Sequence, residues 1–164
     1  MEKNKVILAI DQATTSGYCI YKNGRIYKSG IWKFNKANHE KRVSEFYNTL
    51  VNIIQKEHVT QIVAENVPFE NSKNNNSIIS LGEMRGIIEL VNAKFGFNAV
   101  EFIDPTTHKF LTTGSTFANK IQTMQAIQEK GYKPKDDNES DSISIMLCYC
   151  YYLTVSANRY HCSA

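Results

Sequence analysis

The sequence predicts an α/β fold: a five-stranded mixed sheet in which a three-strand antiparallel meander joins two parallel strands, with helices on its faces. Three observations carry this. Short apolar runs rich in Val and Ile end at carboxylates, first at Asp11 and again at Glu65. An Asn23-Gly24 pair separates two strand-like segments early in the chain. Segments with helical spacing then alternate with the later strand-like runs, and a helical crossover returns the chain parallel to the strand it left.

The elements follow in order. Lys5 to Asp11 reads as a buried strand. Gly17 to Tyr21 and Arg25 to Trp32 flank Asn23-Gly24, the pair suited to a type I′ turn because both of its central residues need positive φ. From Asn38 the spacing changes, and Val43, Phe46, Tyr47, Leu50, Val51 and Ile54 mark an amphipathic crossover helix. Thr60 to Asn66 is a fourth strand, followed by Pro68 and a polar loop from Asn71 to Ser77. Ile78 to Phe95 reads as a helix that carries Gly82 and Gly86 four residues apart. Glycine within a helix costs about 1 kcal/mol relative to Ala, so two on one face imply a close approach, by the sheet or by a second copy of the helix. Ala99 to Ile103 is a fifth strand, Asn119 to Lys130 a third helix stopped by Gly131 and Pro134, and Asp141 to Leu153 a last apolar helix.

With 164 residues, 42% hydrophobic and 21% charged, the chain is expected to form one domain over 1–164, neither disordered nor membrane-embedded. Its first apolar run, Val6 to Ile10, is shorter than the roughly 7–15 residues of a signal-peptide core or the about 20 of a membrane span, so a cytoplasmic location is expected. Cys19, Cys148, Cys150 and Cys162 contain no C-x-x-C pair, which points to reduced thiols and away from zinc. Residues 1–60 hold ten Lys and Arg against five acids, while residues 136–164 hold one Arg against four acids, a segregation that suits a basic surface around an acidic pocket.

The chemistry lies in the carboxylates. Asp11 and Glu65 end strands that become neighbours if the crossover is parallel, so both emerge at the sheet edge where α/β sites form. Asp136, Asp137, Glu139 and Asp141 crowd the start of the last helix and repel one another unless helix capping or a cation offsets their charge. Hard divalent ions such as Mg²⁺ prefer oxygen ligands, and Asp11, Glu65 and Asp141 converging would hold one or two of them. Two such ions suit in-line phosphoryl displacement.

Four blocks, ILAIDQATTSGYCIY (Ile7 to Tyr21), IVAENVPF (Ile62 to Phe69), LGEMRG (Leu81 to Gly86) and ESDSISI (Glu139 to Ile145), together resemble the RuvC family of Holliday junction resolvases, its phage-encoded branch most of all. Their order and spacing, over nearly the whole chain, carry the resemblance. It implies an RNase H-like fold and a homodimeric endonuclease acting on four-way DNA junctions. The implied cofactor is Mg²⁺, with Mn²⁺ as a substitute and two ions per site. By the same resemblance Asp11 and Glu65 match the first two catalytic carboxylates and Asp141 the last. HKFLTTGSTFANK resembles the family's Lys-x4-Gly-x-Gly-x3-Lys stretch, with Lys109, Gly114 and Lys120 in place and Thr116 where the second Gly stands. The two lysines would hold phosphates. Phe69 matches the aromatic that inserts at the branch point, Lys73 in the following loop would be a further DNA contact, and the resemblance places Gly82 and Gly86 at the dimer seam.

Two departures stand out. The usual Pro-Gly after the first carboxylate is Gln12-Ala13. The family's fourth acid, three before Asp141, falls on Asn138; Asp137, four before, shares the helical face and is the expected substitute ligand, whereas Glu139 points away. Two rival readings remain in play. DQATTSG resembles the phosphate-binding turn of the sugar kinase and actin-like ATPases, but those need two domains around a nucleotide. A non-catalytic junction binder would keep a basic surface without retaining Asp11, Glu65 and Asp141.

Overall fold

A computed structural model describes residues 5–67 and 75–161. Strands β1 (Ile7–Asp11), β2 (Thr15–Lys22) and β3 (Arg25–Lys33) form the antiparallel meander; helix α1 (His39–Glu57) crosses to β4 (Gln61–Glu65), and α2 (Asn75–Phe95) leads to β5 (Glu101–Ile103). Helices α3 (Pro105–Thr113), α4 (Lys120–Glu129) and α5 (Asp137–His161) complete the chain. The sheet order is β3-β2-β1-β4-β5, with β4 parallel to β1 and to β5. Asn23 and Gly24 take φ of 54° and 82°, the two positive values that the tight β2–β3 turn requires.

The period-two alternation of β1 divides the core. Leu8 and Ile10 face one layer, where Ile62 and Ala64 of β4 meet Phe46, Leu50, Ile53 and Ile54 of α1 and Met84, Ile88 and Val91 of α2. Ile7, Ala9 and Val63 face the opposite layer, with Ile127 of α4 and Ile143, Ile145, Met146 and Cys148 of α5. Both faces of the sheet are therefore covered, as the apolar runs of β1 and β4 require. Asp11 and Glu65 continue the second alternation and so belong to the α5 face.

Three expectations need correction. The polar stretch read as a loop to Ser77 is helical from Asn75 onward, so α2 begins before Ile78. The segment carrying Lys109, to which the pattern assigned no element, is helix α3, begun by Pro105 after Asp104 and ended by Gly114 in the left-handed conformation. The last helix starts at Asp137 rather than Asp141 and extends to His161.

An ideal Cβ at Gly82 or Gly86 would meet nothing within 4 Å outside its own helix, so the sheet does not press on either glycine. The described cysteines, Cys19, Cys148 and Cys150, are free thiols. Among the described residues no helix is long and apolar enough to cross a membrane. Phe69 and Lys73 lie outside the described residues, as does Cys162.

Candidate active site

The register places the first two acids side by side. Ile10 pairs with Ala64 across the parallel β1–β4 ladder, so Asp11 and Glu65 are the next residues on adjacent strands, on the same face. The turn that presents Asp11 is closed by side chains in place of the family's Pro-Gly. Gln12, buried, donates its Nε2–H to the Glu65 carbonyl at 2.6 Å and ties the two strand ends together. Ser16 donates its hydroxyl to the Ala13 carbonyl at 2.6 Å and accepts the Ala13 N–H at 3.0 Å.

Helix α5 brings the third acid because β2 lets it approach. A Cβ on Gly17, which pairs with Asp11 in the register, would lie 1.8 Å from the Asn138 carbonyl oxygen. Only a residue without a side chain allows this contact. The first turn of α5 is pinned there: Asp136 accepts the Glu139 N–H at 3.0 Å, while the Glu139 carboxylate turns toward β3, accepting the Ser29 hydroxyl at 2.6 Å and the Lys135 N–H at 2.9 Å. The crowded acids thus separate into capping, structural and site roles. Asp137 pairs with Lys120, which holds its carboxyl below the usual range. Asp141 is buried, and its Oδ1 has no hydrogen-bond partner.

Asp11, Glu65, Asp137 and Asp141 share one field. Burial, then Glu65, Asp141 and Asp137, push the Asp11 carboxyl well up, with Lys120 opposing. Burial and Glu65 push Asp141 up to about 6, opposed by His108, Lys109 and Lys120. Both lysines of the α3–α4 stretch therefore act at this site, Lys109 from α3 and Lys120 from the first turn of α4. Among the described residues no three His, Cys, Asp or Glu side chains are already gathered into a closed metal cage. The donor set nevertheless fits a hard divalent cation: it is all oxygen, its carboxylates repel one another, and one buried carboxylate oxygen lacks a partner.

His108 escaped sequence analysis. It is fully buried on α3, with Nε2 2.9 Å from Glu65 Oε2 and Nδ1 2.9 Å from the Ser144 hydroxyl, which itself lies 2.7 Å from the Thr112 hydroxyl. A carboxylate only accepts, so Nε2 carries the proton toward Glu65, while the Ser144 hydroxyl also reaches the His108 carbonyl at 3.2 Å. Glu65 is thereby oriented by a chain reaching from α3 into α5. The start signal Asp104-Pro105 and the stop signal Gly114 could have revealed the helix that places His108.

A sheet of this order, with acids ending β1 and β4 and a third entering from the last helix, is the RNase H-like arrangement. Residues 7–149 match the family model for crossover junction endodeoxyribonuclease RuvC. A relative of that name from Caldanaerobacter subterraneus subsp. tengcongensis is 30% identical over 154 residues, covering 88% of this chain and 92% of its own. Another, from Pseudothermotoga lettingae, is 32% identical over 112 residues, covering 66% and 67%. The structure of T. thermophilus RuvC in complex with Holliday junction substrate superposes with a TM-score of 0.78 over 93% of this chain and 97% of that one, at 18% identity. The yeast mitochondrial Holliday junction resolvase superposes with a TM-score of 0.59 at 11% identity, over 87% and 76%. The chain belongs to the RuvC family.

Proposed function

We infer that the chain is a metal-dependent, structure-selective endonuclease that resolves four-way DNA junctions by phosphodiester hydrolysis on opposed strands, with other branched DNA as a second substrate class. The observation that carries this is the convergence of three mutually repelling carboxylates, Asp11, Glu65 and Asp141, with Asp11 and Asp141 raised in pKa and the buried Asp141 Oδ1 without a hydrogen-bond partner. Kinase-like chemistry would leave Asp137 and Asp141 without a role, and a mere junction binder would gain nothing from the strain of keeping them together.

Asp11, Glu65 and Asp141 are assigned as ligands of Mg²⁺, or of Mn²⁺ in its place, with two ions per site and Asp137 as the fourth carboxylate. Bound there, the cations supply charge neutralisation at the scissile phosphate and a water of lowered pKa. The chain does the rest. His108 holds the Glu65 carboxylate in one orientation. Lys109 and Lys120 bind the phosphates flanking the cut, Lys120 exchanging Asp137 for a phosphate oxygen as DNA enters. Phosphate contacts supply most of the affinity and junction shape most of the selectivity, with Phe69 at the branch point and Lys73 beside it. Cleavage leaves 5′-phosphate and 3′-hydroxyl ends.

The working unit in this reading is a homodimer joined through α2, encoded by a phage and acting in the host cytoplasm. Ile79, Gly82, Gly86 and Leu90 recur at three- and four-residue spacing along that helix; Ile79 and Leu90 are exposed, and the glycines are free of contact from the chain's own sheet. A labelled immobile four-way junction and a matched duplex, each incubated with Mg²⁺ or chelator, test the activity. Junction-selective cleavage that chelator abolishes is expected. An intact junction across Mg²⁺ and Mn²⁺ titrations overturns the reading, whereas cleavage by Asp137→Asn at the wild-type Mg²⁺ requirement removes only the fourth ligand.

A further inference from the structure

Phe117 is 95% exposed in a connection that is otherwise built to hold its shape. The loop between α3 and α4 leaves Gly114 with its N–H on the Phe110 carbonyl at 2.7 Å. The Ser115 N–H then bonds the Thr113 hydroxyl at 3.1 Å, and the Ser115 hydroxyl accepts the Phe117 N–H at 3.3 Å. Ala118 is buried, and the Asn119–Gln122 capping box fixes the start of α4. Ala118 is thus the plug that seats the loop, and Phe117, next to it, is held outward.

Its position says what the ring is for. Phe117 precedes Lys120 by three residues, which limits the distance between their Cα atoms to about 11 Å. Lys120 bonds Asp137 and acts on both Asp11 and Asp141. Adding the reach of both side chains beyond their Cα atoms, and at about 3.4 Å per stacked base, the ring lies within roughly six base steps of a phosphate held at those acids. Phe110 on α3 and Ile121 on α4, 53% and 69% exposed, extend the apolar rim on the helices the loop joins. Lysines alternating with exposed rings are the pattern of a strand-binding surface, in which cations take phosphates and rings take the sequence-independent face of a base. A second copy of the chain is a poorer occupant, because the glycine face of α2 belongs to the opposite layer of the sheet.

We propose that Phe117 is a DNA contact of its own, stacking on one unstacked base of the strand that enters the carboxylate site. This rests on the nuclease reading above. The test places 2-aminopurine at each of about six positions on either side of the cut in a four-way junction, with chelator present so that binding is read without cleavage. Wild type should change the emission at one position; Phe117→Ala should lose that change and bind the junction about tenfold more weakly, with an unaltered Tm. Phe117→Trp should restore both. Equal affinity and equal emission for wild type and Phe117→Ala overturn the proposal, and so does a weaker-binding variant that sediments as a smaller species. If wild type itself does not cut the unlabelled junction with Mg²⁺ or Mn²⁺, the nuclease reading fails instead.

Discussion

Asp141 illustrates how a site residue works against the fold that carries it. Its carboxyl titrates at about 6 in the folded chain against 3.8 for an unhindered Asp, so the folded state binds that proton more tightly than the unfolded state does. Below about pH 4 both states are protonated and the residue costs nothing. Between 4 and 6 stability falls as pH rises, and above 6 the whole cost, on the order of 3 kcal/mol, is present. Asp11 shifts in the same direction. Without divalent cations, Asp141→Asn should therefore melt about 5 °C or more above wild type at pH 7.5, lose that advantage near pH 4, and cleave no junction. Melting curves in chelator across that range check it, and a variant that melts lower at pH 7.5 means the carboxylate was not under strain. His108 acts through Glu65, so His108→Leu should lower the cleavage rate at saturating Mg²⁺ and raise the Mg²⁺ needed for half-maximal rate, with junction affinity unchanged. His108→Gln, which keeps an N–H, should recover part of both; equal rates for wild type and His108→Leu would leave the histidine a packing residue. The acids were legible in the sequence because strand ends and a charge cluster announced them. His108 was not, because a lone histidine has no periodicity.

At the level of elements, legibility followed burial. β1, α1 and β4 carry strong apolar patterns, and the Asn23-Gly24 turn carries its own conformational demand, so these were readable within a residue or two. Helix α3 was silent for a physical reason: its buried residues are His108 and Thr112, both polar, so no hydrophobic repeat marks it. The first turn of α5 was marked only by its acid cluster, since Glu139, Ser140 and Asp141 are buried but polar and leave no apolar repeat. Its placement depends on Gly17, which looked like an ordinary strand residue. Gly17→Ala forces the Asn138 backbone away from β2, and overpacking of this kind costs about 1–3 kcal/mol. The variant should melt lower than wild type and cleave far more slowly even where it remains folded, because Asp141 moves with the helix. Folded Gly17→Ala that cleaves at the wild-type rate, with folding checked by circular dichroism, would separate the helix approach from catalysis.

For the whole molecule, the sheet divides two tasks between its faces. The layer of α3, α4 and α5 gathers the carboxylates, His108 and both lysines, while the layer of α1 and α2 covers the opposite side. On the proposed reading a junction has two opposed strands to cut and the described residues form one carboxylate site, so paired incision would call for two chains held in fixed relation. The outward stripe Ile79, Gly82, Gly86 and Leu90 is the surface suited to that contact, since glycine lets two helix backbones come close. Gly86→Leu is a clean probe because its Cβ meets nothing in its own chain, and replacing a mid-helix glycine removes a cost of up to about 1 kcal/mol rather than adding one. Wild type should sediment as a dimer and convert a cruciform plasmid to linear product in one binding event. Gly86→Leu should sediment as a folded monomer and release nicked circles, with the carboxylate site intact. A folded Gly86→Leu that stays dimeric and still linearises the plasmid would move the seam off this helix, leaving its glycines to some other close partner.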